Sequence, residues 1–95
     1  MIEVSVHEGE IKISGHANYA APGYDIVCAG ATALAQTLIK SIQDLTGDEI
    51  EYDIKPGLAE IKYRNLSERS RTLVDSFFIG ICLIADEFPE YIRIM

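Results

Sequence analysis

Ninety-five residues, 48% of them apolar, are expected to make one domain, residues 1–95, with a small core, and they exclude a disordered chain. Fifteen acidic against eight basic residues leave a net charge of -7, which repels phosphate backbones, argues against direct nucleic-acid binding and favours a basic partner. No apolar run approaches the roughly 18 residues of a membrane span, and Met1 to Val6 holds no signal-peptide core, so a cytoplasmic protein with no membrane partner is expected.

Ile2, Val4 and Val6 alternate with polar residues, and so do Ile11 and Ile13. With the turn His7-Glu8-Gly9-Glu10 between them, they predict a β-hairpin. A loop from Gly15 to Tyr24 follows, with Pro22-Gly23 as its turn signal. Asp25 is placed to cap a helix ending near Thr46-Gly47. Val27, Ala31, Leu34, Ala35, Leu38, Ile42 and Leu45 share one helical face, and Gln36, Lys40, Gln43 and Asp44 the other. Residues 49–54 and 58–63 predict a second hairpin around Lys55-Pro56-Gly57. Asn65 or Ser67 caps a second helix to about residue 87, Pro89 ends it, and residues 91–95 form a last strand. The expected fold is α+β, two helices packed on a mostly antiparallel sheet in the order ββαββαβ.

Cys28 and Cys82 form no Cys-x-x-Cys motif and no zinc pattern, so neither metal nor cofactor is expected. Cys28 falls at the third position of the first helix if Asp25 is the cap. Free backbone N–H groups and the positive end of the helix dipole lie at such a position and favour a thiolate. The same N–H groups suit an oxyanion formed when a thiolate attacks a carbonyl. His16, on a separate segment, is placed to act as base and then acid. On residue types alone, a small core cysteine and a surface histidine remain the plainer reading.

The segment Gly15-His16-Ala17, followed after a loop by Gly23-Tyr24-Asp25-Ile26-Val27-Cys28-Ala29, resembles the signature of the ribosomal-processing cysteine protease family, Prp. Phe77 to Ile94 is similar to that family's second helix and closing strand. The resemblance implies a bacterial cytoplasmic cysteine endopeptidase, commonly a homodimer. It implies removal of the N-terminal extension of a large-subunit ribosomal protein, number twenty-seven of the L series. The extension ends in an apolar, aromatic-containing stretch and a small residue, and basic residues follow the cut. Cys28 matches the family's nucleophile and His16 its catalytic histidine. Gly30 stands where many members carry alanine or serine, and Thr32 where serine is common, which bears on subsite shape.

Asp25 and Asn18 are candidate supporting residues for His16, although Asp25 is equally accounted for as the helix cap. Tyr19, Tyr24 and Gly30 are candidate substrate-binding residues. Cys82 reads as core, His7 as a solvated hairpin end, and Asp86, Glu87 and Glu90 as a solvated helix end. Phe77 to Ala85 is apolar all round, with Gly80 in its middle. That predicts burial on more than one side and a place in a homodimer interface. The loop between His16 and Cys28 is expected to be mobile without substrate, with Ala17, Ala20 and Ala21 leaving it unpinned and the two side chains out of hydrogen-bond reach. The main rival to a peptidase is a non-catalytic ribosome-assembly factor binding the same basic protein, which would have no use for His16.

Overall fold

The alternating residues form strands β1 (Ile2–His7) and β2 (Glu10–Ser14), joined by the expected tight turn. The chain continues through α1 (Ile26–Leu45), β3 (Ile50–Lys55), β4 (Leu58–Tyr63), α2 (Glu68–Glu87) and β5 (Ile92–Ile94), the order expected. This computed structural model describes residues 1–21 and 23–95. Pro22, half of the expected Pro-Gly turn, lies outside the described residues.

One five-stranded sheet carries the order β3-β4-β2-β1-β5. All pairs are antiparallel except β1 with β5, which run parallel. The α2 crossover returns the chain to the sheet beside β1, and a parallel pair needs such a crossover. Period-2 alternation sends Ile2, Val4, Ile11, Ile13, Ile61 and Ile92 to one face, all at most 7% exposed. Val27, Ala31, Ala35, Leu38, Ile39 and Ile42 of α1 and Phe77 and Ile81 of α2 meet them there. Each fully buried Val, Ile or Phe contributes about 1.5–3 kcal/mol, which makes this face the main source of stability.

The helices cover the sheet from β4 to β5 and leave β3 overhanging. The register Tyr52↔Ile61 and Ile54↔Ala59 puts Tyr52 and Ile54 on the helix side, yet they are 52% and 36% exposed. Leu45, expected on the buried face, is 53% exposed because α1 ends there, beyond the last layer of the core.

The second helix also differs from expectation. Phe77 and Ile81 are buried, but Ile79 and Leu83 are 63% and 65% exposed. Only one stripe enters the core, and the outward stripe stays apolar. Cys82, expected in the core, is only half-buried, because it lies beside the inward stripe. Gly80 permits a close approach within the chain: a Cβ there would stand 3.0 Å from the Leu34 methyls of α1.

Candidate active site

Asp25 caps α1 as its position predicts. One carboxylate oxygen accepts the backbone N–H groups of Val27 (3.1 Å) and Cys28 (3.0 Å). The other accepts the N–H of Tyr19 at 3.0 Å. Partial burial pushes the Asp25 carboxyl up. The N–H groups of Cys28, Tyr19 and Val27, with a contribution from the Cys28 side chain, outweigh that and hold it below the usual carboxylate range.

These bonds correct one expectation. The N–H groups of Val27 and Cys28 are not free, because Asp25 takes them, and Ala29 N–H donates to the Asp25 carbonyl at 3.0 Å. The donor that meets the half-buried Cys28 sulfur is instead the backbone N–H of Ala17, at 3.3 Å.

The loop is held at both ends of its first half. Ala17 is 3% exposed. Tyr19 packs edge-on against Phe88 (ring centroids 5.5 Å apart) and Tyr91 (5.1 Å). Ala20 and Ala21 are exposed, as their small side chains suggest, but Ala17 is a core residue.

His16 and Cys28 line one cavity of about 430 Å³. Cys28, Ala31, Thr32 and Ala35 form its helical wall, at the i, i+3, i+4, i+7 spacing of a single face. The β3–β4 turn, Ile54 to Ala59, forms the opposite wall, and Ile2 and Ile13 lie at the base. Among the described residues no hydrogen bond joins the His16 ring to Cys28. A more open polar depression at the far end of the sheet, lined by Glu10, Asp48, Lys62 and Arg64, holds neither residue.

The other candidates sit elsewhere. Tyr19 faces the α2–β5 junction, and Tyr24 is 78% exposed. Gly30 faces α2, where a Cβ would stand 3.2 Å from the Ile84 methyl. None of the three lines the cavity. Asn18 is exposed with a φ of 57°. Sequence reasoning did not single out Ile54, Pro56 and Gly57 as a wall. The Pro-Gly pair marked a turn, but nothing local said which other segment that turn meets.

Comparison with known proteins gives the class first: the matching family model and the curated relatives are cysteine proteases. The chain belongs to the cysteine protease Prp family, whose model matches residues 1–93. The ribosomal processing cysteine protease Prp of Staphylococcus aureus is 28% identical over 100 residues, covering 98% of this chain and 94% of that protein. Its counterpart in Bacillus subtilis is 23% identical over 90 residues, covering 87% and 80%. The fold matches the crystal structure of the S. aureus protease with a covalently linked product peptide, with a TM-score of 0.88 at 23% identity and coverage of 98% and 94%. The same protease with a substrate peptide gives a TM-score of 0.83 at 22% identity, covering 99% and 95%.

Proposed function

We propose that this protein removes the N-terminal extension of a bacterial large-subunit ribosomal protein, number twenty-seven of the L series, with Cys28 as nucleophile and His16 as general base and acid. The observation that carries the reading is the shared cavity of Cys28 and His16, walled mostly by apolar side chains. An apolar stretch before the scissile bond fits such a wall. The net charge of -7 suits basic residues after the bond.

In this mechanism the substrate lies between α1 and the β3–β4 turn. His16 takes the Cys28 proton, and the sulfur attacks the scissile carbonyl carbon. The tetrahedral oxyanion collapses, the C–N bond breaks, and His16 gives its proton to the leaving amine. Water, deprotonated by His16, then attacks the thioester, which releases the extension and returns the thiol. Before attack the Ala17 N–H holds the sulfur in place. Asp25 acts through structure, as cap of α1 and anchor of the Tyr19 loop.

The protein works in the cytoplasm, in ribosome biogenesis, as a homodimer. Ile79 and Leu83 supply the apolar stripe for a second copy. Leu83→Glu is expected to give a folded monomer in sedimentation velocity; an unchanged sedimentation coefficient places the interface elsewhere.

The deciding experiment incubates the protein with the extended precursor and reads the products by mass spectrometry. Cys28→Ala is expected to abolish cleavage and His16→Ala to reduce it by about 10²–10⁴-fold, both with unchanged circular dichroism. Turnover by Cys28→Ala, or tight binding of an uncut precursor by the unaltered protein, refutes the reading.

A further inference from the structure

The β3–β4 turn does more than join two strands. Strands β2 and β4 pair as far as Ser14↔Leu58. The ladder runs one step further, with the Gly15 N–H donating to the Gly57 carbonyl at 2.9 Å. His16 is the next residue, so it leaves the sheet beside the turn. Its ring lies against Gly57. A Cβ built on Gly57 would stand 2.9 Å from His16 Nε2, 3.5 Å from Cε1 and 3.6 Å from Cδ2.

Two demands meet at this glycine, and they are separable. Its φ of +78° is a turn requirement, one that asparagine also meets at moderate cost. The empty Cβ position is a different requirement, because the imidazole fills it. His16 is otherwise exposed. Among the described residues no side chain hydrogen-bonds its ring, so no third group orients the imidazole in the way a catalytic triad does. The His16 carbonyl accepts from the Met1 N-terminus at 2.6 Å, and the ring itself packs on the bare turn.

We infer that Gly57 is a positioning residue for the general base: the turn backbone, lacking a side chain at this point, holds the His16 imidazole at the cavity, and any side chain there displaces it. The inference rests on the reading of His16 as general base. A misplacement of about 1 Å in a catalytic group can cost about 100-fold in rate, and a Cβ at this spacing forces a shift of the ring.

The test uses Gly57→Asn, which tolerates the left-handed backbone, beside Gly57→Ala. Both are expected to lower kcat on the extended precursor by about 100-fold. Gly57→Asn should keep its circular dichroism spectrum and melt near the unaltered protein. The second readout is the rate of Cys28 alkylation by iodoacetamide in the unaltered protein, Gly57→Asn, His16→Ala and the double variant. If the turn acts through His16, each single change slows alkylation and the double variant is no slower than His16→Ala alone. A folded Gly57→Asn protein with ordinary kcat, or a slowing that adds in full to that of His16→Ala, overturns the inference. A His16→Ala protein that cleaves at the ordinary rate removes the underlying reading and the inference with it. An inactive His16→Ala protein beside a fully active Gly57→Asn protein overturns the inference alone.

Discussion

The two helices begin in chemically similar ways with different results. At α1 the cap is Asp25, and its carboxylate gathers N–H groups from its own helix and from Tyr19, six residues back. At α2 the cap is Ser67, whose hydroxyl accepts the Ser70 N–H at 3.3 Å. Behind it stands Asp48, from the connection after α1, which accepts the Ser67 N–H at 2.9 Å, the Ser67 hydroxyl at 2.6 Å and the Ser70 hydroxyl. Ser70 is fully buried, and its hydroxyl also meets that of Thr46 at 3.2 Å. The α2 start is a closed joint between the tail of one helix and the head of the next. The α1 start holds a loop with an exposed histidine above a half-buried thiol. One carboxylate per helix serves both, but only the first stands next to the proposed catalytic pair.

That contrast is open to breaking. The largest effect is expected from Asp25→Ala. Loss of an N-cap costs about 1 kcal/mol of stability, but freeing Tyr19 and the segment that carries His16 and Ala17 should lower kcat/KM by about 100-fold. Precursor cleavage set beside a melting curve separates the two, and a kinetic loss no larger than the stability loss implies would make Asp25 a cap and nothing more. Ser70→Ala should do the reverse. Removing this buried hydroxyl should cost about 1–2 kcal/mol, a fall of about 4–8 °C in Tm per kcal/mol for a domain of this size, with kcat at 25 °C unaltered. A matching drop in kcat would mean that the joint reaches the active site.

Acid should loosen both starts together. The Ser67 hydroxyl, the Ser70 hydroxyl and the Ser67 N–H hold the Asp48 carboxyl below its usual range against a smaller opposing effect of burial. Asp25 is likewise held low. A carboxyl lowered by folding stabilises the fold above its unfolded value, about pH 4, and that stability is lost as the pH falls through the lower folded value. Urea midpoints measured from pH 7 to pH 3 should therefore decline chiefly below about pH 4, and less in Asp48→Asn. An identical decline in Asp48→Asn would remove that group from the account. The smallest effect is that of salt. Raising it from low ionic strength to about 0.3 M should reduce kcat/KM a few-fold with kcat steady, because screening over about 10 Å at 0.1 M weakens the pull of an acidic enzyme on the proposed basic substrate. A flat kcat/KM would assign the acidic surface to solubility.

Much of the fold was legible in local pattern. The alternation of Ile2, Val4, Ile11 and Ile13 and the helical spacing of Val27, Ala31, Ala35, Leu38 and Ile42 each reflect one element's own period, which needs no partner to be read. Asp25 was recognisable as a cap because capping reaches only three residues ahead. The apolar run of α2 was legible as composition but not as placement. Inward Ile81 and outward Leu83 look alike in sequence, and only the packed core tells them apart.

The sequence by itself determined the elements, their order, the cap that sets Cys28 in the first turn of α1, and, through the motif around His16 and Cys28, the family. Tertiary structure alone decided which segments meet. The strand order β3-β4-β2-β1-β5 sets β2 beside β4, and by that route His16 beside Gly57. It leaves β3 overhanging so that a cavity opens at Cys28, turns Tyr19 toward Phe88 and Tyr91, and brings Asp48 under Ser70. Strand pairing and helix docking are chosen by the burial of one shared apolar face, a property of the whole chain. Each residue's own neighbours in sequence carry only its period and its cap.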